Sequence, residues 1–267
     1  IKNYRGYYAI GINESNIKSG AGSDKIIIEL LEDRFHYGAT AIDQSEIDTG
    51  SGNDVIEITV TSSRNDSFGS HAVASSSIKL GDGNDNLNIF QKNSANNLDV
   101  AISGDVSESV LYDFGLGNDI GTFSSEGYGI QSDGKNKHRI ILGEGNDLLT
   151  ISSVYSALYK SNIFADEGND EIELKASNEF HYCIEDSNIY LGDGDDSLTL
   201  ESSKNSNIDG GKGIDIIKIL DSSENYIFES TQSNDLIITN SNDDFFKLTL
   251  LDIETISFDD KNISLTG

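Results

Sequence analysis

Eight aspartates each close a short glycine turn of the form Gly-x-Gly-x-Asp: Asp24, Asp54, Asp85, Asp119, Asp147, Asp170, Asp196 and Asp215. The glycines are Gly20 and Gly22, Gly50 and Gly52, Gly81 and Gly83, Gly115 and Gly117, Gly143 and Gly145, Gly192 and Gly194, Gly211 and Gly213. The sixth turn keeps only Gly168, because Asp166-Glu167 replaces the earlier part. Alternate glycines open backbone angles closed to other residues and let carbonyls crowd one point, while the aspartate adds a carboxylate at that corner. If such turns stack, each gap between them holds carbonyl oxygens and carboxylates from two neighbours. Hard oxygen ligands in a flexible cage suit Ca2+ better than Mg2+, which demands octahedral geometry and keeps its waters. Zinc and copper fit poorly, since the chain has four histidines and one cysteine. Asp and Asn also serve as plain turn formers. That role does not require a carboxylate at one register in all eight turns, and bare carboxylates ~4.8 Å apart would repel and titrate high.

The residues around each aspartate say what positions it. Two residues later stand Ile26, Ile56, Leu87, Gly121, Leu149, Ile172, Leu198 and Ile217; four later stand Ile28, Ile58, Ile89, Phe123, Ile151, Leu174, Leu200 and Ile219. Seven earlier stand Ile17, Ile47, Ile78, Tyr112, Ile140, Ile163, Ile189 and Ile208. Residues two apart on a strand share a face, so each unit reads strand, glycine turn, strand, with the apolar side inward. Nine earlier, Ser15, Ser45, Ser76, Ser161, Ser187 and Ser206 recur, with Val110 and His138 in the other two slots. A third segment pairs a small residue with an aliphatic one at Ala9-Ile10, Ala41-Ile42, Ala72-Val73, Ala101-Ile102, Gly129-Ile130, Ala157-Leu158 and Cys183-Ile184. Cys183, the only cysteine, therefore reads as a small core side chain. Such units stack into a solenoid, since one alone cannot bury its face.

Composition narrows the partners. The net charge of -28 repels nucleic acid and anionic membranes and invites multivalent cations. No apolar run is long enough to cross a membrane as a helix. The chain starts at Ile1 with neither Met nor a leader-like segment, which suggests a piece of a larger or processed protein.

The turns resemble the Gly-Gly-x-Gly-x-Asp-x-apolar-x nonapeptide of RTX (repeats-in-toxin, haemolysin-type) calcium-binding proteins. Gly210-Gly211-Lys212-Gly213-Ile214-Asp215 and Gly81-Asp82-Gly83-Asn84-Asp85 carry the likeness. The resemblance implies a parallel β-roll with Ca2+ held in the turns by Asp and backbone carbonyls, and export to a calcium-rich exterior. The chain departs from that family in having one turn per rung instead of tandem nonapeptides. Where the family would place the preceding Asp it usually has Ser, so a ladder of serine hydrogen bonds could replace an ion on that edge. The longer rungs leave a two-sided roll and a three-sided β-helix both open.

Other features could carry function. Lys135-Asn136-Lys137-His138-Arg139 is the only basic cluster, and His36-Tyr37 and His181-Tyr182 fall where the repeat wants an aromatic. Ile141, Phe164 and Tyr190 form an apolar stripe six residues before the aspartate, expected under an inserted loop. No catalytic constellation stands out, although β-helices also carry polysaccharide lyases and epimerases. The expectation is an all-β, right-handed parallel β-solenoid of about eight rungs over 1–220, with a C-terminal β-cap over 221–267 in which Asp235 and Asp244 could be worn copies of the repeat. Its expected role is a calcium-stiffened structural module, more plausibly non-enzymatic, of a secreted or cell-surface protein such as an adhesin, surface layer or filament. Calcium, self-association and a cell-surface glycan are the partners considered; the competing class is a polysaccharide-acting enzyme.

Overall fold

Strands with one apolar side can bury it only against other strands, and a chain of them does so by winding on itself. The structure, a computed structural model, describes residues 9–31, 39–62, 70–93, 100–103, 109–232 and 235–265. Its strands form three sheets, so the solenoid has three sides. One rung shows the plan: Ala39–Asp43 lies in the first sheet, Glu46–Asp48 in the second and Val55–Ser62 in the third. Each strand pairs in parallel with its counterpart in the next rung.

The apolar columns stack in register. In the second sheet Ile47 pairs with Ile78, Ile78 with Tyr112 and Tyr112 with Ile140, all fully buried. In the third, Ile56, Leu87, Gly121 and Leu149 follow one another. Gly121 breaks the aliphatic column because a Cβ there would meet the Phe114 ring at 2.8 Å and Leu149 at 2.9 Å. Phe114, from the preceding strand of the same rung, fills the space that a side chain at 121 would take. A fully buried Ile or Leu in such a column contributes ~1.5–3 kcal/mol relative to exposure.

Two register readings change. Ile12, not Ile10, pairs with Ile42, so Gly11-Ile12 holds the slot expected of Ala9-Ile10. In the fourth rung Ala101 lies opposite His71 and Tyr128, one place away from the expected alignment. A small–aliphatic pair is too common a pattern to fix register by itself; pairing between rungs decides it.

After Ile219 the chain forms a cap. Asp243–Leu251 adds in parallel to the second sheet beside Ser206–Lys212 and then pairs antiparallel with Leu236–Asn240, which pairs with Tyr226–Ser230. Thr255–Phe258 adds in parallel to Ile216–Ile219 and is covered by antiparallel Asn262–Ser264. Antiparallel pairing turns the sheets away from further parallel growth. Asp235 and Asp244 belong to this hairpin region and are not further members of the aspartate row.

Candidate metal centre

The corner between second and third sheets is built by the glycine turns. Gly81 and Gly83 have φ of 103° and 140°, open to glycine and costly for other residues. Stacking makes a second demand, because a Cβ on Gly81 would lie 1.8 Å from the Gly50 carbonyl oxygen and one on Gly83 2.0 Å from that of Gly52. The turns bind one another through the backbone: Asp82 N–H donates to Gly50 O at 2.9 Å, and Gly52 N–H to Asp82 O at 2.7 Å. In the sixth rung Asp166 takes the left-handed conformation, φ 72°, where a glycine is missing, and the turn keeps its place.

All eight predicted aspartates line up in one row along this corner. The backbone N–H of each donates to Oδ1 of the aspartate in the next rung: Asp24 to Asp54, Asp54 to Asp85, Asp85 to Asp119 and Asp119 to Asp147, each at 2.7 Å. Asp147 donates to Asp170 at 2.8 Å, Asp170 to Asp196 at 2.7 Å and Asp196 to Asp215 at 2.9 Å. Asp215 N–H ends the row on Glu254 Oε2 at 2.8 Å, so Glu254 of the cap takes the ninth position.

A second ladder, missed in the sequence, runs the other way along the outside of the turns. Asn84 N–H donates back to Asn53 Oδ1, Asn118 to Asn84, Asn146 to Asn118 and Asn169 to Asn146. Its signal was the Asn that precedes five of the eight aspartates. Together the two ladders bind each turn to both neighbours without any ion.

The other oxygen of each aspartate is unaccounted for. Oδ2 of Asp24, Asp54, Asp85, Asp119, Asp147, Asp170, Asp196 and Asp215 is buried and has no hydrogen-bond partner. Apart from Asp24, these residues are at most 3% exposed. Next to Asp215 the position that a Cβ on Gly210 would occupy lies 2.7 Å from Oδ2. At the matching place other rungs carry Thr49, Leu80, Phe114, Leu142, Ala165 and Leu191, all buried. Burial accordingly pushes the carboxyls up: Asp119 and Asp215 to about 7, Asp170 to about 8, Asp147 and Asp196 to about 6, and Asp85 in the same direction. Neighbouring carboxylates add to the rise at Asp119, Asp170 and Asp215, while the donated N–H opposes it.

A row of buried, unpartnered carboxylate oxygens, one per rung, could hold hard cations between rungs. Protonation is the other way to remove the charge, and it turns Oδ2 into a hydroxyl donor. No group of three or more His, Cys, Asp or Glu converges at one point among the described residues, so any site is a row between rungs and not a closed cage.

The corner between first and second sheets carries the serine ladder. Ser15 N–H donates to Ser45 Oγ at 3.0 Å and Ser45 N–H to Ser76 Oγ at 2.9 Å; Ser161, Ser187 and Ser206 repeat the pattern. Each Oγ donates to the carbonyl two residues back, as Ser45 does to Asp43 at 2.7 Å. At the Val110 interruption His138 Nδ1 takes the hydroxyl's place and accepts from Val110 N–H at 2.9 Å. The residue before the serine holds a left-handed φ, as at Gln44 (49°) and Ser75 (46°), and turns the corner.

The remaining candidates are dispersed. His138 is buried whereas Lys135 and Arg139 are exposed, so the histidine is not part of the basic surface of that cluster. Asp133 Oδ1 accepts from the N–H groups of Lys135 and Asn136, which makes that loop an ordered turn. Phe164 and Tyr190 stack at 4.9 Å, but Tyr190 is 40% exposed, so the stripe is not covered there as expected. Cys183 is fully buried, its thiol donates to Ser202 O at 2.7 Å, and burial raises it to about 11. His36-Tyr37 lie outside the described residues.

Fold and site thus define a three-sided parallel β-solenoid with a buried aspartate row along one corner. No protein-family model matches the sequence, and a comparison with curated proteins finds no match either.

Proposed function

We propose that the chain is a calcium-binding structural module, a stiff solenoid within a larger secreted or cell-surface protein. The observation that carries this reading is the orphaned Oδ2, repeated at one register in eight rungs while Oδ1 is committed to the neighbour's N–H. A buried carboxylate oxygen without a donor is costly, and a cation shared between rungs removes that cost. The likeness of the turns to RTX repeats supports calcium as the ion. Because only one oxygen per aspartate is available, occupancy depends on what lies beside it. The rungs with Ser19 and Ala165 carry smaller side chains there than those with Leu80, Phe114, Leu142 and Leu191, whereas at Gly210 the Asp252 carbonyl and Ile253 fill the place.

Asp119→Asn tests the reading. The amide keeps an oxygen for the Asp85 N–H but places an NH2 where the ion would sit. Calcium stoichiometry and the calcium-dependent gain in melting temperature should both fall, whereas the metal-free protein should not lose stability. Unchanged stoichiometry, with the variant more stable in calcium and in chelator alike, would refute calcium and leave a purely hydrogen-bonded row.

A further inference from the structure

The corner between third and first sheets, away from the aspartate row, carries two adjoining clefts of about 310 and 470 Å3. They meet at Ala176 and Glu201, which line both. Ser124, Ser152 and Lys175 form a column in register along the outer face of the third sheet, and Glu201 ends it in the next rung. Four rungs at ~4.8 Å spacing make a groove about 15 Å long, parallel to the solenoid axis.

The loop 177–183 forms the wall of the larger cleft and displays Phe180, 84% exposed. The loop is fixed on both sides of that ring. Phe180 N–H donates to Asn178 Oδ1 at 2.9 Å, the His181 ring packs 4.6 Å from the buried Tyr155, and the Tyr182 hydroxyl donates to Asp243 at 2.9 Å. A phenyl ring held in water on an anchored loop beside a concave surface is a ready contact for the apolar face of a ligand.

The charge of the lining selects among ligands. Glu179, Glu201 and Asp243 face the larger cleft, and the one cation, Lys175, is paired with Glu173 at 2.7 Å. Carboxylates and serine hydroxyls accept hydrogen bonds from hydroxyl groups and repel acidic or sulfated chains. We propose that this groove binds an uncharged oligosaccharide laid along the solenoid axis, with a sugar ring against Phe180 and hydroxyls donating to Glu201 and Glu179. The groove shares no residue with the aspartate row, so the proposal stands independently of the calcium reading.

Titration calorimetry of the whole chain in calcium buffer tests it, with cellohexaose, maltohexaose and N-acetylchitohexaose as probes and polygalacturonate as the anionic control. At least one neutral probe should bind, and Phe180→Ala should weaken it about tenfold or more. Glu201→Gln should weaken it less. Both variants should melt with the parent, since Phe180 and Glu201 are exposed. Failure of all three neutral probes, equal binding by both variants, or binding of polygalacturonate alone would overturn the proposal.

Discussion

Removing divalent cations and then raising the pH should unfold the solenoid from its aspartate row. In the folded chain Asp119 is raised to about 7, whereas the ordinary value is 3.8. A carboxyl with a raised folded pKa contributes stability that is fully present below its unfolded value and is lost as the pH rises through the folded one. The window therefore runs from ~4 up to about 8, the value for Asp170. For Asp119 alone, forcing ionisation costs ~4 kcal/mol, at ~1.4 kcal/mol per tenfold change in proton activity. In a chain of this size that lowers the melting temperature by about 10 °C. Several such groups would together outweigh the ~5–15 kcal/mol that holds an ordinary domain, so they cannot all be ionised and bare in the folded state. The proposed calcium would reverse the sign, because it would bind the ionised carboxylate and compete with the proton. Melts followed by far-UV circular dichroism at about pH 5 and about pH 8.5, in chelator and in calcium, give the readout. The metal-free melting temperature should fall across this range, and the increment from calcium should grow. A metal-free melt that is flat or rises with pH would refute the reasoning.

Two further substitutions probe the corners. Gly81→Ala and Gly22→Ala share a left-handed backbone, φ 103° and 112°, but only the first Cβ meets a carbonyl oxygen, at 1.8 Å, while the second has nothing within 4 Å. Gly22→Ala should cost only the conformational term, ~1–2 kcal/mol; Gly81→Ala, which must displace backbone, should cost at least twice that in urea denaturation. Equal costs would mean that close stacking of the turns contributes nothing. Ser45→Ala removes the acceptor for Ser15 N–H, so it should destabilise the first two rungs by ~1–3 kcal/mol. Amide exchange should report this as faster exchange at Ser15, with rungs seven and eight unaffected.

The solenoid was legible because each rung repeats the same local pattern, so Ile47, Ile78 and Ile140 announce one column without any knowledge of contacts. The serine ladder was legible for the same reason. What failed depended on relations between rungs. Gly11-Ile12 and Ala9-Ile10 are equally good small–aliphatic pairs, and only the pairing of Ile12 with Ile42 chooses between them. The Asn ladder hid because an Asn in a glycine turn already has a local explanation; its direction exists only once turns are stacked. Glu254 hid because no glycines precede it, although its longer side chain still reaches the Asp215 N–H. The groove at Phe180 has no signature within a rung, since it is assembled from four.

The aspartate row divides its labour between two oxygens, and that division separates what stacks the rungs from what would hold the proposed ion. Oδ1 accepts a backbone N–H, a structural bond that an uncharged amide could also make. The inter-rung stack therefore has its hydrogen bonds whether or not a cation is present. Oδ2 makes no bond and is buried, a condition no turn former requires. Had selection asked only for a ladder, Asn would serve in both rows, as it does on the outer one at Asn84, Asn118 and Asn146. The outer row takes one carboxylate, the exposed Asp195, whose Oδ1 accepts from Ile214 N–H; only the inner row is a carboxylate in all eight rungs and buried in seven of them, where charge is most costly. A cation between the rungs would neutralise that charge where protonation otherwise must, and this is why calcium and acid are expected to compete for the row.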